Sequence, residues 1–146
     1  MKNSQRFLPF CALLLFCFLC PSLHADSQLE KKMNQMRKSF RELKKAMVNP
    51  VVADKQKYLV WVADLKSASE ASKTMEPEKI SNVPADQRSA LLEGYRNKMD
   101  EMLDEIDSLG KAIEAGNWEE AKALVAQINQ VQREGHQKYR AESNEH

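Results

Sequence analysis

At 146 residues, 42% hydrophobic and 29% charged, the chain is long enough for one domain and has the balance of a globular protein rather than a disordered one. Its net charge of +1 shows no basic stripe that would recommend nucleic acid and no cationic amphipathic face that would recommend a membrane surface. Four Gly and five Pro leave few punctuation points, so an all-α chain of long helices is expected over a set of short strands.

Residues 1–25 are a different material. MKNSQR is basic, FLPFCALLLFCFLC is an apolar run of 14 residues, and PSLHA follows with Ala25 at its end. The run is short of the roughly 18 to 20 residues of a spanning helix, and Ala25 supplies the small residue of a cleavage point. A signal peptide is therefore expected over 1–25, with residues 26–146 as the exported domain and no membrane contact after cleavage. Cys11, Cys17 and Cys20 all lie in the leader, so the exported part has no cysteine and no CxxCH for a covalent haem tether. Losing Lys2 and Arg6 leaves 20 basic against 21 acidic residues, a charge near −1. Without disulfides, a domain of this size holds together by its apolar core alone.

The first predicted helix runs from about Asp26 to Met47. Leu29, Met33, Met36, Phe40, Leu43 and Met47 step by 4, 3, 4, 3 and 4, which sets all six on one face. The sequence NPVV ends it, because Pro50 cannot continue a helix and biases Asn49 away from helical geometry. A second stripe, Val51, Tyr58, Val62, Leu65, Ser69 and Ser72, extends to about Thr74. EPEKISNVPAD then reads as one long crossover loop marked by Pro77, Asn82 and Pro84. In the third helix Leu92, Tyr95, Met99, Met102, Ile106, Leu109 and Ile113 repeat the same spacing over six turns. Gly116 suits a left-handed cap after it, and Asn117 an N-cap for the fourth helix, whose stripe is Trp118, Ala121, Leu124, Ile128, Val131, Gly135 and Tyr139. Four such stripes are best buried together in an antiparallel up-down-up-down four-helix bundle; a three-helix bundle or a dimer of helical hairpins is the alternative.

In that bundle the first and last helices are antiparallel neighbours, so the start of one lies beside the end of the other. Met33 falls roughly 10 Å into the first helix at 1.5 Å per residue, and His136 a similar distance back from the end of the last. Alone, each has a plain reading: a solvated or packed imidazole, and a thioether filling a Met-rich core. Together at one level, imidazole nitrogen and thioether sulfur make the axial pair of a six-coordinate haem iron. Met36, Phe40, Tyr95, Met99 and Met102 are the candidate wall of such a site, each equally serviceable as core.

LEKKM at 29–33, GHQKYR at 135–140 and GNWEEAKALVAQI through the last helix resemble the cytochrome b562 family of small secreted haem-binding bundles. The resemblance spans the exported domain in length and helix order, with the second helix and the long loop matching by pattern only. It implies non-covalent haem b, one per chain, with Met33 and His136 as axial iron ligands, a periplasmic address and a one-electron carrier role with an unidentified redox partner protein. A monomer is expected. Two departures bear on haem retention: Gly135 replaces a Tyr before the ligand His, and Gln132 replaces an Arg expected near the haem propionates. The resemblance with these departures implies a weaker hold. AESNEH, ending in His146, extends past the family's usual end.

Two other readings stand beside this one. A haem-free periplasmic bundle acting in protein interaction or stress would use the Lys-rich KKMNQMRKSFRELKK as its working face, a run otherwise read as a solvated helix surface. An enzyme finds no support in the motifs. There is no nucleophile with a base and no Gly-rich phosphate loop, and Arg133 stands where a di-metal bundle would place the Glu of E-x-x-H. Iron with two protein ligands also has no open position for a substrate.

Overall fold

The structure, a computed structural model, describes residues 22–140. The three cysteines, nearly all of the expected leader and His146 lie outside the described residues. Four long helices and one short one follow in order: α1 (Ser22–Ala46), α2 (Lys55–Lys73), α3 (Glu78–Ser81), α4 (Ala85–Ala115) and α5 (Trp118–Tyr139). Among the described residues there is no strand, and no helix is long and apolar enough to cross a membrane. The expected all-α four-helix bundle is the observed architecture.

Each boundary has a local cause. Lys44 and Lys45 end α1, where cations oppose the negative end of the helix dipole. Asn49 and Pro50 then turn the chain, and the Val51 amide donates to the Tyr58 hydroxyl at 3.0 Å, tying the turn to the first part of α2. Gly116 closes α4 at φ 72, left-handed backbone that an L side chain rarely adopts. There the Asn117 amide donates to the Ala112 carbonyl at 2.8 Å and the Gly116 amide to Ile113 at 3.0 Å. The Asn117 side chain accepts from the Glu120 amide and donates to the Glu120 carboxylate, a reciprocal cap that starts α5.

The predicted stripes are the core. Met36, Phe40 and Leu43 of α1, with Met47 just beyond its end, meet Tyr58, Val62, Leu65 and Ala68 of α2, the Tyr95-to-Ile113 row of α4, and Ala121, Leu124, Ile128, Val131 and Tyr139 of α5. Two polar residues of the second stripe, Ser69 and Ser72, are fully buried. They are tolerated because each hydroxyl donates back to a carbonyl one turn earlier, Leu65 and Ala68 respectively, at 2.8 Å. Tyr58 packs edge-on to Trp118 at 6.2 Å and beside Trp61 at 5.9 Å, which closes the end of the bundle holding the α4–α5 turn.

Three expectations are corrected. Val51 is 52% exposed and precedes α2, with a 3-10 turn over Val52–Asp54 between them, so it is a turn residue rather than part of the stripe. The long connection is not all loop. Residues Glu78–Ser81 form one helical turn capped by Pro77, and its Ile80 is 1% exposed, plugged into the core. One turn of helix is too short to show a period, which is why pattern alone reads it as loop. Helix α4 begins at Ala85, seven residues before its apolar row; Leu91 and Leu92 pack only partly against the core.

Packing around the bundle is uneven. Backbones approach closely between α1 and α2, α2 and α4, and α4 and α5, whereas α1 and α5 stand further apart. Their seam is bridged in its deeper half by the Lys44 ammonium donating to the Asn129 side chain at 3.5 Å. At the other end of the seam it opens.

Candidate functional site

The opening is a cavity of about 530 Å³, within the roughly 300–1,000 Å³ usual for small-molecule and cofactor sites. It lies between the first turns of α1 and the last turns of α5. Leu29, Met33 and Met36 come from α1, Tyr95, Met99 and Met102 from α4, and Val131, Gln132, Gly135, His136 and Tyr139 from α5. Antiparallel pairing is what collects residues about a hundred positions apart at one end.

Of the seven residues singled out from sequence, six line this cavity: Met33, Met36, Tyr95, Met99, Met102 and His136. Phe40 does not. It is buried at 3% exposure in the core one turn further along α1, with the Lys44 ammonium 5.0 Å from its ring centre. Its spacing places it on the cavity-facing side of α1, but the narrowing bundle already closes over it.

Met33 is half-buried against the core. His136 is exposed as a whole residue, yet enough protein surrounds the ring that burial pushes its pKa below the ordinary histidine range, and the Arg140 and Arg37 guanidiniums add to this. A neutral imidazole is the form that can donate a lone pair to a metal. The donor set is one nitrogen and one sulfur. Among the described residues no cluster of three or more His, Cys, Asp or Glu could hold a bare metal ion. That chemistry fits an iron whose other four ligands come from a macrocycle better than it fits zinc or calcium.

The floor is well ordered by hydrogen bonds. The Tyr95 hydroxyl donates to the Ser72 carbonyl at 2.8 Å, and burial raises its pKa to about 12, so it stays a donor. The Ser72 hydroxyl lies 3.6 Å from the Met36 sulfur. Tyr95 also stacks edge-on to Tyr139 at 5.6 Å. These contacts fix two aromatic faces and one thioether below the opening.

Several lining residues were not foreseen. Pro77 and Glu78 bring the start of α3 to the rim, and Arg37, Lys98 and Arg140 add three cations. Arg37 and Arg140 could have been found by spacing, since each lies one helical turn beyond Met33 and His136 respectively. Pro77 and Glu78 had no such signal. Gln132 and Gly135, the two departures noted in sequence, do line the cavity. A Cβ on Gly135 would meet only Lys98 at 3.6 Å, an ordinary contact, so the glycine is not forced by crowding and leaves the cavity wider.

Comparison with known families matches residues 28–140 to the family model of cytochrome b562. Among curated proteins, none matches the chain.

Proposed function

The chain belongs to the cytochrome b562 family, whose members bind haem b non-covalently, and from that premise we propose that it is a periplasmic one-electron carrier with Met33 and His136 as axial ligands. One observation supports this most directly. The thioether and the imidazole, remote in sequence, line one cavity together with Leu29, Met36, Met99, Met102, Val131 and two tyrosines, with charged residues at its rim. Bound haem b supplies a one-electron iron couple. Everything else is the work of the chain. The apolar wall of Met36, Met99 and Met102 would exclude water from a bound haem, Tyr95 and Tyr139 hold each other in place by edge-on packing, and the depressed pKa keeps His136 available as a donor. With both Met33 and His136 holding the iron, no position would be left for a substrate, which suits electron transfer rather than catalysis. The leader over residues 1–25 is taken to direct export and to be removed after Ala25.

Haemin titration of the purified, haem-free protein tests this. One haem per chain and a low-spin, six-coordinate spectrum on reduction are expected. His136→Ala should lose most affinity and the low-spin form, whereas Met33→Ala should retain haem with an altered spectrum and a lowered potential. A folded, colourless protein that takes up no haemin would overturn the proposal and leave the haem-free interaction reading.

A further inference from the structure

The cavity interior is apolar, but its rim is cationic in an unusual way. Three cations line it, Arg37, Lys98 and Arg140, together with two carboxylates, Glu30 and Glu78. Lys98 is already engaged, 2.6 Å from Glu101 and 2.9 Å from Glu134. Those contacts hold its ammonium on the α4–α5 surface. Among the described residues, Arg37 and Arg140 make no ion pair and no side-chain hydrogen bond, with Glu30 and Glu78 included. Arg37 projects from α1 one turn beyond Met33, and Arg140 caps α5 one turn beyond His136. Both stand close enough to the His136 ring to disfavour its protonation. One turn before His136, the α5 lining carries the neutral amide of Gln132.

Two guanidiniums without partners among the described residues, beside an apolar cavity, are the complement of an amphipathic ligand with anionic ends. A guanidinium fork matches a carboxylate in both shape and charge, and bidentate pairing adds direction to the attraction. Glu30, about two turns before Arg37 on α1, and Glu78, on α3, would repel a ligand whose carboxylates pointed their way. The charge pattern thus selects one orientation as well as one ligand class.

We infer that Arg37, with Arg140 as its partner, forms the carboxylate-binding rim of this cavity and selects a planar ligand carrying two free carboxylates over its uncharged diester. The inference rests on the haem reading above and deepens it: the porphyrin's two propionates are read from the α1 side by a residue that no axial or wall role uses. Arg37 is a positioning residue. It touches the ligand's charged edge and not its iron.

Haemin and haemin dimethyl ester, delivered to the haem-free full protein, separate the possibilities. At low salt the wild type is expected to bind the diacid about tenfold more tightly than the diester. Arg37→Gln should lower diacid affinity about three- to tenfold and leave both the diester affinity and the low-spin spectrum unchanged, the scale of a partly exposed charge-assisted pair. Arg37→Lys should recover part of the preference, since it keeps the charge and loses the fork. Arg41→Gln, on the same helix but outside the cavity, should change nothing. Raising salt to about 0.5 M should shrink the wild-type preference. Equal wild-type affinity for diacid and diester, or a full preference retained in Arg37→Gln, overturns the inference while the haem reading stands. Uptake of neither compound by the wild type overturns both.

Discussion

At Gly94 the absence of a side chain has a specific cause. A Cβ there would come within 2.7 Å of the Tyr139 hydroxyl, and Tyr139 cannot easily yield, being 5% exposed and packed edge-on to Tyr95. Glycine inside a helix costs about 0.5–1 kcal/mol relative to alanine, so a packing demand must offset that loss. Gly94→Ala is therefore expected to destabilise the bundle by about 1–2 kcal/mol in urea denaturation, as overpacking does. In a Tyr139→Phe background the hydroxyl is gone and the next ring atom, at 3.8 Å, is an ordinary neighbour. There the same substitution should stabilise by about 0.5–1 kcal/mol. An effect of the same sign in both backgrounds would show that Tyr139 is not the reason for Gly94. The glycine itself is plain in the sequence, but the tyrosine that demands it lies 45 residues away on another helix.

Among the elements, α3 is the one whose role is least visible in its own residues. Four residues of helix contribute little by themselves, since nucleation is unfavourable and such a segment is stable only when docked. Ile80 does the docking, at 1% exposure, and the same turn carries Pro77 and Glu78 to the rim of the cavity. Arg88 of α4 steadies it by donating to the Ser81 carbonyl at 2.6 Å. Ile80→Ala is expected to cost about 2–4 kcal/mol of stability, the usual range for emptying a buried isoleucine site. It should also raise the rate of haemin loss, because the rim loosens with its anchor. A stability change below about 1 kcal/mol, by thermal or urea melting, would mean that α3 rests on the surface. The long helices differ: their periodic rows of apolar residues announce both their existence and their buried face, and only their ends needed correction.

Taken whole, the haem-free bundle carries a pH dependence that its composition does not reveal. His136 is held below its ordinary pKa of 6.5 by burial first, then by Arg140 and Arg37. As pH falls from above 6.5, the unfolded chain takes up the proton at this position before the folded one does. Stability contributed here is therefore intact above 6.5 and falls as pH drops toward the lowered folded value, below which this group adds no further slope. Urea midpoints between pH 8 and pH 5 should decline more steeply in the wild type than in His136→Gln. Parallel profiles would mean that the imidazole titrates as it would in water. If His136 holds the iron as proposed, the same depression would have a use when haem is bound, because protons would compete less for the ring nitrogen.

The sequence by itself determined that the chain is helical, where its four long helices run, which face of each is apolar and that Met33 and His136 are the residues to watch. Those properties are local or periodic: they follow from 3.6-residue spacing, from proline and glycine at the turns, and from the residues that resemble a known family. Tertiary structure alone decided that α1 and α5 stand apart at one end, that Phe40 is sealed in the core while Met36 faces the cavity, that α3 closes a corner, and that Arg37 and Arg140 share a rim. Each of these depends on how far one helix lies from another, and inter-helix distance is set by side chains of several elements packing at once, a quantity that no single stretch of sequence contains.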